Sequence, residues 1–163
     1  MKKRIIFVIL GILLLVSISF FITKKEIFNI YTLNIETEDL MIKSQSKLSK
    51  SQSIEKKIIF LTKKLSNDNF EKKSIYFDGI KLEEGKKIGY FDLRDTNEKD
   101  SWYPYFQGSF GAFSTKISIV ETLLQRDFDG NWLDGIKLSY NGKFEEFDHI
   151  SFEDAIYWRK IKN

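Results

Sequence analysis

A chain of 163 residues with a formal charge of +3 and no cysteine is long enough, less an apolar N-terminal stretch, for one modest domain around a single core. The missing cysteine excludes disulfides, thiolate metal sites, a cysteine nucleophile and a lipid-modified cysteine. Lys2, Lys3, Arg4, Lys24 and Lys25 flank the apolar stretch, and removing those five from 26 basic residues leaves 21 against 23 acidic ones, too little basic surface for broad nucleic-acid binding.

Ile5 to Ile22 is an eighteen-residue run broken only by Gly11, Ser17 and Ser19. As a helix it spans about 27 Å, close to the hydrocarbon thickness of a bilayer. Three basic residues precede it and two follow, which predicts a cytoplasmic N-terminus and an extracytoplasmic remainder. A cleaved signal peptide is the competing reading, but the following SFFITKK lacks the small-x-small pattern that signal peptidase reads. The expected organisation is an anchor over 1–25, a domain over 26–152 and an extension over 153–163.

Ile27 to Glu36 alternates as a strand, with Phe28, Ile30, Leu33 and Ile35 as candidates for the buried side. Leu40 to Ile42 suggests a second short strand. The polar stretch from Lys43 to Ser53, in which KSQS occurs twice, reads as a loop whose three lysines meet solvent or anionic lipid. From Ser53, a plausible N-cap, the spacing of Ile54, Ile58, Leu61 and Leu65 predicts a helix, with Ile59 widening its apolar stripe, Lys63 and Lys64 near its C-terminal end and SNDN closing it. Ile75, Phe77, Ile80 and Leu82 lead through Glu84-Gly85 into Lys86 to Leu93, a strand pair joined by a glycine turn. After the charged loop from Arg94 to Asp100, Trp102, Tyr103, Tyr105 and Phe106 surround the only proline. They form either a cover over the core, the expected role, or a docking surface.

The stretch from Gly108 to Gly142 is the densest in signals. A helix is predicted over Thr115 to Arg126, with Ile117, Val120, Leu123 and Leu124 on one side and Lys116, Glu121 and Gln125 on the other. Ser114 or Thr115 is its candidate cap, and Asp129-Gly130 supplies the reversal beyond it. Trp132, Ile136, Leu138 and Tyr140 then mark a strand, and Asn141-Gly142 fits a type I′ turn that returns Lys143 to Phe147 as its partner. Near the C-terminus, Ser151 to Asp154 resembles a capping box, so that Ala155, Ile156, Trp158 and Ile161 form a short helix or an extension for a partner.

Enzyme signatures are weak. His149 is the only histidine, and no nucleophile elbow, P-loop or H-E-x-x-H accompanies it. Asp127, Asp129, Asn131 and Asp134 miss the ligand spacing of a calcium loop and read as turn and capping residues. Glu83, Glu84, Glu145, Glu146, Asp148, Glu153 and Asp154 offer carboxylates for glycoside hydrolysis on paper, without any motif that brings two to one cleft. No catalytic residue, metal or cofactor is expected.

A strand, a basic helix and a glycine hairpin ending in Phe91-Asp92-Leu93 are followed by a loop with Phe106, Gly108 and Gly111. Then come the helix with Thr122, Leu123 and Gln125, the strand with Trp132, Ile136 and Leu138, Asn141-Gly142-Lys143, and His149. Over roughly Ile27 to Phe152 this order resembles the GerMN domain of sporulation and germination proteins, with Asp92, Gly108, Thr122, Gln125 and Gly142 as motif residues. The anchoring cysteine and second module of many such proteins are missing. The resemblance implies an α+β extracytoplasmic module tethered by the single-pass segment Ile5–Ile22, non-catalytic, with an envelope protein or a second copy as partner. The alternatives are a peptidoglycan-binding module and a carboxylate-dependent wall hydrolase.

Overall fold

The computed structural model describes residues 24–97, 101–144, 146–147 and 149–159. Among these no helix is long and apolar enough to cross a membrane, and the apolar run Ile5–Ile22 lies outside them.

The chain opens with an antiparallel pair, β1 (Lys25–Leu33) and β2 (Leu40–Ser49). Phe28 and Ile30 alternate with exposed or half-buried neighbours and point inward with Ser46 and Leu48. The polar stretch expected to be a loop is therefore strand as far as Ser49. Its serines and lysines suggest a loop by composition, but Ser46 and Leu48 keep period 2 against β1, and pairing decides the conformation. Ile35, expected on the buried side, lies beyond β1 and is 80% exposed.

Helix α1 (Ile54–Asn69) starts where expected, with the Ser53 side chain accepting from the Lys56 amide. Ile58, Leu61 and Leu65 are fully buried. The SNDN segment continues the helix instead of closing it: Phe70 is the C-cap, bonded to the Ser66 carbonyl, and the Ser66 hydroxyl ties down the Lys73 carbonyl. Lys64 pairs with Asp68 one turn on at 2.8 Å, so its charge is engaged by a neighbouring acid and the last turn of α1 carries no basic residue.

Strands β3 (Ser74–Glu83) and β4 (Lys86–Arg94) form the expected hairpin, with Glu84 and Gly85 both at positive φ. A 3-10 turn over Tyr103–Phe106 follows; Trp102 and Phe106 are buried against Tyr140, Phe152 and Phe70 in the core-cover role, Tyr105 is half-buried, and Tyr103 is 54% exposed.

Helix α2 (Ser109–Leu124) begins six residues before the predicted Thr115. Gly108, at φ +70, is its N-cap, and Thr115 lies inside it, donating to the Tyr105 carbonyl at 3.0 Å. The helix stops before Gln125, which takes the left-handed conformation as C-cap. Gly108 and Gly111 read as loop glycines, and Phe113 faces out at 51% exposed, so the first turns lack the apolar stripe that marks a helix. Val120, Leu123 and Leu124 are buried as expected, whereas Ile117 is half-buried and Ile119 takes the inner position.

After this crossover, β5 (Gly135–Tyr140) runs parallel to β4. Asn141 and Gly142 turn at positive φ, but among the described residues the return pairs with β5 through a single bridge, Lys143 to Tyr140. The chain instead forms a separate short pair, β6 (Glu146–Phe147) with β7 (Ile150–Ser151). The C-terminal segment is strand, not the short helix suggested by its capping box: β8 (Tyr157–Trp158) pairs antiparallel with Gly135 and Ile136. Gly135 allows this, since a Cβ there would stand 2.5 Å from Ile156 Cγ2. The order β3-β4-β5-β8 completes a mixed sheet, and both helices touch it, each other and the β1–β2 pair. The architecture is a small α+β fold with one core from Phe28 to Phe152.

Candidate functional site

Asp92, Thr122, Gln125 and Gly142 all make hydrogen bonds within the fold. Asp92 is fully buried on β4 and accepts from the Ser139 hydroxyl at 2.6 Å, the Gly142 amide at 2.8 Å and Arg94 Nε. One carboxylate thus joins β4, β5 and the turn after β5, where Gly142 sits at φ +74. Arg94 is raised in pKa chiefly by its hydrogen bond to Asp92, and its guanidinium stacks over the Tyr76 ring at 4.3 Å.

Thr122 and Gln125 act one layer away. The Thr122 hydroxyl oxygen accepts from the Tyr31 amide at 2.9 Å. Gln125 Oε1 accepts from the Asn29 amide at 2.9 Å, and its Nε2 donates to the Asn29 and Thr122 carbonyls, each at 2.6 Å. These side chains satisfy backbone groups on the edge of β1 that β2 does not pair. Gln125, expected on the exposed side of the helix, is buried instead, because the helix ends at Leu124, two residues short of the predicted Arg126, and the left-handed cap swings Gln125 onto β1.

The polar residues weighed for chemistry are scattered. His149 is exposed between β6 and β7. Asp127 accepts from the Tyr31 hydroxyl at 3.1 Å and Asp134 from the Lys87 amide at 2.8 Å, as turn residues do. No group of three or more His, Cys, Asp or Glu among the described residues is placed to hold a metal. Glu83 and Asp154 meet only through Lys137, whose ammonium lies 3.6 Å from one and 2.9 Å from the other, and whose pKa is raised chiefly by the bond to Asp154. A glycosidase pair leaves that space, roughly 5–9.5 Å, open to sugar or water. Glu145 and Asp148 lie outside the described residues.

The surface offers more than these acids. Ile59, assigned to the buried stripe of α1 by its spacing, is 56% exposed, and Phe60 beside it is 43% exposed. They stand next to an open groove of about 440 Å³ between α1 and the start of β3, lined by Ile59, Thr62, Lys63, Lys72 and Tyr76. Strand β3 is the outermost strand of its sheet on this side. Asp78 forms a bulge between Phe77 and Gly79, a device that blunts strand-to-strand pairing along an edge. The groove therefore favours side-chain contact over extension of the sheet. A stripe of period 3.6 cannot separate Ile58 from Ile59, adjacent residues about 100° apart on the helix, without knowing which neighbour covers which.

The chain matches no protein-family model, no curated protein and no solved structure.

Proposed function

We propose that this chain is a non-catalytic binding or assembly module, tethered to the cell membrane through Ile5–Ile22 with its domain outside, in an envelope complex of the sporulation or germination kind. The observation that carries this reading is the use of the motif side chains. Asp92, Thr122 and Gln125 turn their polar atoms onto the backbone and side chains of the fold itself, as expected of residues that specify a scaffold. The exposed apolar side chains of α1 support a partner face at the groove lined by Ile59, Tyr76, Lys63 and Lys72, with exposed Phe60 next to Ile59 on the helix. Exposed apolar side chains within a polar rim are characteristic of protein contacts. The partner is an envelope protein or a second copy of the chain.

The test places a photo-crosslinking amino acid at Phe60 of the full-length protein in its native membranes. A discrete protein adduct at Phe60, absent from the same probe at Lys143, is the expected result. Release of soluble fragments from purified cell wall, abolished in a folded variant carrying Glu145→Gln with Glu146→Gln, would replace this reading with a hydrolase.

A further inference from the structure

The end of the β1–β2 pair where the described chain begins is basic, and the groove on α1 makes no use of it. Lys25 and Ile27 alternate with the inward Phe28 and Ile30, and their partners across the ladder are Ser49 and Lys47. Lys25, Ile27 and Lys47 are all exposed on this outer face. Lys50 follows β2 directly, its amide bonded to the Lys24 carbonyl at 2.8 Å, so it gathers at the same end. Of the acids here, Glu26 is turned inward to Lys57 at 2.6 Å, and Glu55 is exposed in the first turn of α1. The opposite end of the pair has the reverse sign, with Glu36, Glu38 and Asp39 exposed at the turn between β1 and β2. The nine residues of β1 separate the two ends by about 30 Å.

We infer that Lys25, Lys47 and Lys50, with Ile27 among them, lay the domain against the anionic surface of the bilayer, the acidic turn directed away. The inference rests on Ile5–Ile22 being the membrane anchor. Only Thr23 separates Ile22 from Lys24, so the first described residues stand at the lipid headgroups and the lysines lie within a Debye length of them. Lysines at such a surface are attracted by anionic headgroups, and an apolar side chain among them enters the interface. Tethering makes the contact effectively intramolecular, so a few lysines suffice.

The full-length chain is incorporated into nanodiscs of phosphatidylcholine alone or with phosphatidylglycerol, and amine acylation is followed by mass spectrometry. Lys25, Lys47 and Lys50 should react about fivefold more slowly in the anionic discs, reverting at high salt. Lys72, exposed beyond the far end of α1, should react alike in both. In Lys47→Glu, Lys25 and Lys50 should lose most of their protection. Equal reactivity in the two disc types, with the chain embedded in both, overturns the docking and leaves the anchor standing. A chain that elutes apart from both discs overturns the anchor and the docking together.

Discussion

The carboxamide of Gln125 pairs with the backbone of Asn29 in both directions, donating to its carbonyl at 2.6 Å and accepting from its amide at 2.9 Å. A side chain here does for β1 what a neighbouring strand does elsewhere. Glutamine is suited to this because it carries a donor and an acceptor on one planar group.

Gln125→Glu keeps the shape and replaces the donor with an oxygen aimed at the Asn29 and Thr122 carbonyls. Burying a charge without its donor should cost about 3 kcal/mol. Thr122→Val, which removes one acceptor for the Tyr31 amide, should cost about 1–2 kcal/mol. Urea denaturation of the two variants measures both. If Gln125→Glu were as stable as the parent, the pairing with Asn29 would not contribute to the fold.

Asp92 and Gly142 make a coupled pair across the β5 turn at 2.8 Å. Asp92→Ala should cost about 3 kcal/mol by taking the acceptor from the Gly142 amide and Arg94 Nε and leaving the Ser139 hydroxyl only its longer contact with the Phe91 carbonyl. Gly142→Ala is strained at φ +74 and should cost about 1 kcal/mol. The double variant should lose less than the sum, because the strained turn and the lost acceptor weaken the same connection. Strict additivity in a double-mutant cycle would show that the two act separately.

Tyr140 has its pKa pushed up to about 12, first by burial and then by its hydrogen bond to Asp95. The raised value favours the neutral phenol in the folded state. Its contribution is therefore fully present below pH 10 and is lost as the pH rises from about 10 to about 12, while the unfolded chain ionises first. Tyr31, Tyr90 and Tyr105 are raised as well, so Tyr140→Phe should reduce the fall in stability across this window without abolishing it. An unchanged slope between about pH 10 and about pH 12 would mean Tyr140 does not titrate with folding.

Burial of α2 gives a sharper contrast. Leu123 is buried, and its carbonyl accepts from Trp132 Nε1 at 2.8 Å, while Glu121 pairs with Arg126 at 2.9 Å on the half-buried side. Leu123→Asp should cost several kcal/mol, comparable to the whole stability of a small domain. Glu121→Lys, which breaks a partly buried pair and sets a like charge beside Arg126, should cost less, about 1–2 kcal/mol. Thermal melts that agree for the two variants would contradict this packing.

Much of this architecture is legible from local chemistry. Ser53 at the start of α1, Glu84-Gly85 and Asn141-Gly142 at their turns, and the alternation of Ile136, Leu138 and Tyr140 each declare their conformation within a few residues. What escapes is set by distant partners. Lys43 to Ser49 becomes a strand because Phe28 and Ile30 lie across from Ser46 and Ser44, and Tyr157 becomes one because Ile136 has a free side. Gln125 reads as a surface residue until β1 is seen to bring it an unpaired backbone edge. Ile59 reads as core until Ile58 is seen to occupy that place. The candidate partner face was hidden for that last reason: an exposed apolar residue and a buried one look alike in one dimension.

Ile59 and Phe60 give α1 an apolar outer side, and Lys63 and Lys72 bound the groove next to it. Because Ile59 is already in water, Ile59→Arg should leave stability within about 0.5 kcal/mol of the parent. A contact through so small a surface is weak in dilute solution, where it must offset the loss of translational and rotational freedom. Confinement to a membrane raises the effective concentration and orients all copies alike. The domain from residue 26 onward should therefore sediment as a monomer, whereas the full-length protein in membranes should crosslink to a second copy or to an envelope protein. Ile59→Arg should reduce that crosslinking at least about fivefold, since a buried cation without a partner costs well over 1 kcal/mol. Crosslinking that survives Ile59→Arg and a matching Phe60→Asp, with both variants folded, would place the partner face elsewhere.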